Sequence, residues 1–171
     1  PAGESRTSES GRRRILMVGQ TVAHKGWEDA IAALALLGNL GVDAELVAVA
    51  GPRIEWLQSL AEKFEVGDRL VCVGHVPHVD WPAYYRGGDV VGVASHREGF
   101  GLVGVEAMAC GTPVVSTAVG GMKSYTQHQV NALVAQARNP KGLATQLKIA
   151  LEDASLCAGL VERGLDTAKQ F

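Results

Sequence analysis

Ser95-His96-Arg97-Glu98-Gly99-Phe100-Gly101-Leu102-Val103-Gly104-Val105-Glu106-Ala107-Met108-Ala109-Cys110-Gly111-Thr112-Pro113 is the stretch from which the rest of the chain can be placed. It follows a valine-rich run, residues 89–94, that reads as a buried strand, and it carries a helical pattern closed by Gly111 and Pro113. Gly99 and Gly101 let the backbone turn tightly between the two, so the free amides at the start of the helix can face an anion. Glu98 sits on the loop and Glu106 about one turn into the helix, and with a start near Leu102 both carboxylates point toward the carboxyl end of the strand. Ionised carboxylates only accept hydrogen bonds, which suits them to a vicinal diol with two hydroxyls to donate.

Outward from this stretch, strands and helices alternate. Strands are expected at 15–18, 44–50, 69–73, 90–94, 114–116 and 132–134; helices at 27–37, 54–64, 81–85, 102–110, 141–152 and 155–168; and a short helical piece at 123–127. Such alternation implies an α/β fold, a Rossmann-like parallel sheet of about six strands with helices on both faces and right-handed crossovers. Ligands of such sheets bind outside the carboxyl ends of the strands, near the reversal of strand order. The loops after strands one, three, four and five are therefore expected to share one crevice, gathering Lys25, residues 75–78, Glu98 and Gly120-Gly121.

Residues 1–12 are small, polar and aperiodic, and read as a flexible tail or linker remnant; residues 13–171 read as one domain. A chain of 171 residues buries roughly 70% of its unfolded surface and needs no disulfide or metal to hold together. A net charge of −2 with both signs interspersed offers no basic field to a nucleic acid or an anionic membrane. The apolar run from Ala30 to Leu37 is far short of the roughly 20 residues that span a bilayer, and no signal peptide opens the chain. Cys72, Cys110 and Cys157 are odd in number, far apart and set in apolar sequence, so reduced core thiols and a cytoplasmic location are expected.

Four further local readings follow. Gly19 ends the first strand, and Lys25-Gly26 precedes a helix, where charge and helix dipole together can hold an anion; the plain alternative is a solvated lysine. Glu106 lies among Val105, Ala107 and Met108, so its carboxylate needs a partner unless that face of the helix is exposed. His75, His78 and Asp80 have the chemistry of metal ligands, but no other histidine or cysteine pair completes a four-ligand set, and a polar loop over the crevice is the preferred reading, with no metal and no cofactor. His24 and His96 read as loop histidines without special function, Trp27, Trp56 and Trp81 as helix faces packed on the sheet, and Leu102 and Val103 as either site or core residues.

Glu98 and Glu106, with Gly-Phe-Gly-Leu after the first, resemble the E-x7-E motif of retaining, nucleotide-sugar-dependent glycosyltransferases of the GT-B fold, glycosyltransferase family 4 or group 1 type. Residues 106–115, Glu-Ala-Met-Ala-Cys-Gly-Thr-Pro-Val-Val, are similar to that family's wording, and Gly120-Gly121 falls where the family has a second glycine pair. The resemblance covers most of residues 14–135, and implies the donor-binding domain alone, without the N-terminal domain that holds much of the acceptor site. It implies that Glu98 meets the hydroxyls of the transferred sugar, Glu106 those of the ribose, the amides of Gly99, Phe100, Gly101 and Leu102 the sugar and phosphate, and Val76 and Pro77 the base. Gly19, Gln20 and Lys25 fall where the family grips the donor diphosphate, with Lys25 and Glu98 carrying the catalysis. Gln20 stands where arginine is usual, Ser124 where glutamate is, Ala132 where glycine is and Ala94 where proline is frequent. The loss of one cation weakens phosphate binding by ~1.5–3 kcal/mol.

The resemblance thus implies a hexosyltransferase domain, inactive on its own, that uses a UDP- or GDP-sugar. The alternatives are a nucleotide-sugar binding module without turnover, and an unrelated nucleotide-binding Rossmann protein. The last is disfavoured because residues 19–26 lack G-x-G-x-x-G and the second strand ends Ala50-Gly51-Pro52 without an acidic residue.

Overall fold

The computed structural model describes residues 10–171. The first nine residues of the expected 1–12 tail lie outside the described residues; within it, the Arg12 guanidinium reaches Asp43 at 3.1 Å and Asp68 at 2.9 Å. Six strands form one parallel sheet: β1 (Arg13–Gly19), β2 (Ala44–Ala50), β3 (Leu70–Cys72), β4 (Val90–Val93), β5 (Val114–Ser116) and β6 (Leu133–Val134). Their order is β3-β2-β1-β4-β5-β6, so the chain winds outward from β1 in one direction and from β4 in the other.

Six helices join the strands: α1 (Trp27–Asn39), α2 (Ile54–Lys63), α3 (Trp81–Gly87), α4 (Leu102–Ala109), α5 (Pro140–Glu152) and α6 (Ala154–Ala168). Because helices cover both faces, the central strands read as unbroken apolar runs rather than alternating ones. Ile15 and Met17 of β1 join Leu46, Ala48 and Ala50 of β2 in one core with α1, α2 and α5. Leu16 and Val18 join Val47, Val49, Val91 and Val93 in the other, with Tyr85 of α3 and Val105 and Met108 of α4. The helix starts late in the chain are capped locally: the Asn139 side chain accepts from the Gly142 amide at 3.0 Å and Asp153 from the Leu156 amide at 2.8 Å.

Three expectations are adjusted. The helical piece placed at 123–127 is a 3-10 helix at Gly120–Ser124, beginning at the glycine pair itself. Trp27 is fully buried and Trp56 and Trp81 pack partly on the two cores, but Trp81 also lines the cleft at the edge of the sheet. Of the three cysteines only Cys157 is buried; Cys72 and Cys110 are half-buried, and none of the three is in a disulfide.

Candidate functional site

At the carboxyl edge of the sheet, across the reversal between β1 and β4, lies a cleft of about 810 Å³. Gly19, Gln20, Lys25, Val76, Glu98, Phe100, Gly101, Leu102 and Glu106 all line it. Pro77 and Gly99 do not, although the residues on either side of each do. The loop after β2, Ala50-Gly51-Pro52, also forms a wall, together with His75, His78 and Trp81. That loop was legible in principle: every strand of a parallel sheet ends at the same edge, and β2 is the neighbour of β1.

The loop after β1 approaches the end of β4 closely. Gly26 has φ +75°, and a Cβ there would collide with the Ala94 carbonyl, so only glycine fits. The His96 amide donates to the His24 carbonyl at 2.7 Å, and the His96 imidazole meets Asp29 of α1 at 2.6 Å. His96 is therefore the clasp between two loops of the site, not the idle residue expected. Its effect is to bring Lys25 against Glu98: Nζ lies 2.6 Å from Oε1. The buried Ser95 hydroxyl donates to the same oxygen at 2.7 Å, and Thr117 in turn donates to the Ser95 carbonyl at 2.6 Å. Lysine and glutamate side chains are 25% and 11% exposed, which leaves the ammonium within reach of an incoming anion.

Gly120 and Gly121 do not enter the cleft; they back its wall. The Gly121 amide donates to the Gly99 carbonyl at 2.8 Å, and a Cβ on Gly120 would overlap the Glu98 carbonyl. The glycine pair thus holds the 98–101 loop from behind. Gly101, at φ +81°, turns the chain into α4 with no side-chain cap, and Tyr125 donates its hydroxyl to the Gly101 carbonyl at 2.6 Å. Burial, then the charge on Glu98, pushes the Tyr125 phenol well above its ordinary range, so it stays a donor. No side chain caps the first amides of α4, and Gly101, Leu102 and Val103 line the cleft at the positive end of the helix dipole.

Glu106 has the partner its surroundings demanded. The Tyr85 hydroxyl donates to Oε2 at 2.7 Å, and the His78 imidazole meets Oε1 at 3.2 Å. Tyr85 is 1% exposed; burial first and the bond to Glu106 second hold its phenol far above the usual range. The His78 ring leans on Trp81 with centroids 4.5 Å apart, and the Trp81 indole donates to the Val76 carbonyl at 3.0 Å. Tyr85, Ser95, Trp81 and Tyr125 were not expected in the site. Gln20 is exposed, but its carbonyl accepts from the buried Trp27 indole at 2.8 Å, so its backbone is fixed.

A family model for group 1 glycosyl transferases matches residues 4–166. The chain is 36% identical over 162 residues to a D-inositol 3-phosphate glycosyltransferase of Xylanimonas cellulosilytica, covering 92% of this chain and 38% of that protein. Among solved structures, sucrose-phosphate synthase from Thermosynechococcus elongatus superposes with a TM-score of 0.86 at 29% identity, over 93% of this chain and 41% of that one. The C-terminal domain of a group 1 family protein from Francisella tularensis gives a TM-score of 0.83 at 23% identity, over 99% and 93% of the two chains. Anabaena HepE in complex with UDP gives 0.84 at 24%, over 93% and 44%. The chain spans less than half the length of the Xylanimonas relative.

Proposed function

The chain belongs to the group 1 glycosyl transferase family, and we propose that it is the donor-binding domain of a retaining enzyme that moves a hexose from a nucleoside diphosphate to an acceptor hydroxyl. The observation that carries this reading is the meeting of Lys25, Glu98, Glu106 and the uncapped start of α4 on the walls of one cleft. Lys25 and the α4 amides offer positive charge to a diphosphate. Glu98 and Glu106 offer acceptors to two separate sets of hydroxyls, the hexose and the ribose. UDP bound to HepE and the wording of the E-x7-E stretch support a UDP- or GDP-sugar as donor, and the sequence of that stretch supports membership of glycosyltransferase family 4.

Lys25 neutralises Glu98. A bound donor exchanges these partners: the ammonium turns to the diphosphate, and the freed Glu98 oxygen accepts from the sugar. As the bond from the anomeric carbon to the phosphate oxygen breaks, the acceptor oxygen bonds to that carbon on the same face. The acceptor proton then passes to the adjacent phosphate oxygen, whose charge Lys25 and the helix amides stabilise. The acceptor reaches the site from a second, N-terminal domain, and this chain alone transfers no sugar at a useful rate, because such clefts work by closure of two domains. Three cysteines outside any disulfide support a reducing, cytoplasmic setting.

Calorimetry against UDP-, GDP- and ADP-sugars tests the reading: one should bind, and Glu106→Ala should weaken that binding at least about tenfold. Binding of NAD in their place would refute it. Gln20, in the position of a usual arginine, favours one alternative, a binding module without turnover; transfer activity measured with an N-terminal acceptor domain joined to the chain separates the two.

A further inference from the structure

The two oxygens of Glu106 are held in different ways. Oε2 accepts from a tyrosine hydroxyl at 2.7 Å whose ring is 1% exposed and packed in the core beneath the cleft. The backbone of that tyrosine is anchored too, since the buried Thr112 hydroxyl donates to the Tyr85 carbonyl at 2.8 Å. Oε1 faces His78, whose side chain is 73% exposed. An ionised carboxylate only accepts, so the imidazole presents its Nε2–H to Oε1 at 3.2 Å. Of the two partners, the buried phenol cannot follow Glu106 if the carboxylate turns, and the exposed imidazole can swing away at little cost. A third group entering the cleft therefore meets a carboxylate whose plane is set by Tyr85 and whose open oxygen is occupied by a removable donor.

Resting on the donor-site reading above, we propose that Tyr85 is the positioning residue that fixes the Glu106 carboxylate for a ribose diol, and that His78 is the placeholder the diol displaces. Tyr85 acts through Glu106 and touches no substrate. Its phenol stays protonated because burial and the neighbouring carboxylate both oppose ionisation, so it holds Oε2 throughout. His78 keeps Oε1 hydrogen-bonded until two hydroxyls arrive and then releases it, which spares Glu106 an unpaired state before and after.

The test compares the tightest binder among UDP, GDP and ADP with its 2′,3′-dideoxy analogue, by calorimetry on the chain and its variants. Tyr85→Phe keeps the ring in the core and removes the hydroxyl. It should weaken the diol ligand about tenfold, the scale of one hydrogen bond to a charged group, and the dideoxy ligand by less than about twofold. Equal weakening of both, or of neither, overturns the positioning role. His78→Ala should tighten the diol ligand and leave the dideoxy ligand where it was; a loss with both would make His78 a ligand contact and overturn the placeholder role. Should Tyr85→Phe fail to fold, the unaltered chain labelled with carbon-13 at tyrosine Cζ and with nitrogen-15 in the histidine rings gives the same reading. The Tyr85 signal should stay in place on adding the diphosphate while the His78 signals move, and the reverse pattern would overturn the proposal. Absence of binding by every nucleoside diphosphate would refute the donor-site reading and this inference together, whereas normal binding without the diol-specific loss refutes this inference alone.

Discussion

Gln20→Arg should tighten a nucleoside diphosphate by about 1.5 kcal/mol, roughly tenfold in Kd, the lower end of the range for a hydrogen bond to a charged group. The lower end applies because residue 20 is exposed, where solvent and salt weaken any charge pair. Lys25 is the one lysine or arginine among the described residues that line the cleft, and it is already bonded to Glu98. A diphosphate therefore meets a cation that must first leave its carboxylate. The backbone at residue 20 is tied to the fully buried Trp27 indole through its carbonyl, so a new side chain can extend over the cleft without moving the loop. Calorimetry with UDP and with uridine separates the effect: the gain should appear with UDP and not with the phosphate-free nucleoside. It should also shrink as salt rises toward 1 M, where the screening length falls to about 3 Å. A variant that binds UDP no more tightly, or that gains equally with uridine, would show that the position does not face the phosphates.

Two further outcomes concern the frame of the site. Gly26→Ala should cost about 2 kcal/mol or more in urea unfolding, since it forces a left-handed backbone on alanine and drives a methyl into the Ala94 carbonyl; an unchanged midpoint would refute the close approach of the two loops. Tyr85 and Tyr125 both hold their protons more tightly in the folded chain than the ordinary value of 10. Their contribution is therefore complete below that pH and is lost as pH rises beyond it, by up to about 1.4 kcal/mol per pH unit for each phenol. Urea unfolding from about pH 9 to 11.5 should show this fall, shallower in Tyr85→Phe; a flat profile would refute the burial argument.

The strands of the sheet were legible because burial on both faces writes them as unbroken apolar runs, β2 being read to the residue at Ala44–Ala50. The late helical piece was misplaced by three residues because glycines look like breakers in a sequence, while here Gly120 and Gly121 open a 3-10 turn pressed against the 98–101 loop. Trp81 was read as a packing residue and does pack on the core; that it also lines the cleft was not legible, because a tryptophan in a helical pattern carries no mark of which side meets a cleft.

The sequence by itself determined the α/β alternation, the edge at which a ligand loop must sit, and the identity of the two carboxylates and the lysine, because these depend on local pattern and on residue chemistry. Tertiary structure alone decided what each of those groups touches. Lys25 meets Glu98 across 73 positions and Tyr85 meets Glu106 across 21, pairings set by strand order and by the packing of α3 against α4. Periodicity reports which face of an element is buried; it does not report which distant element is laid against it, and the distances that make a cluster of side chains into a site are fixed only there.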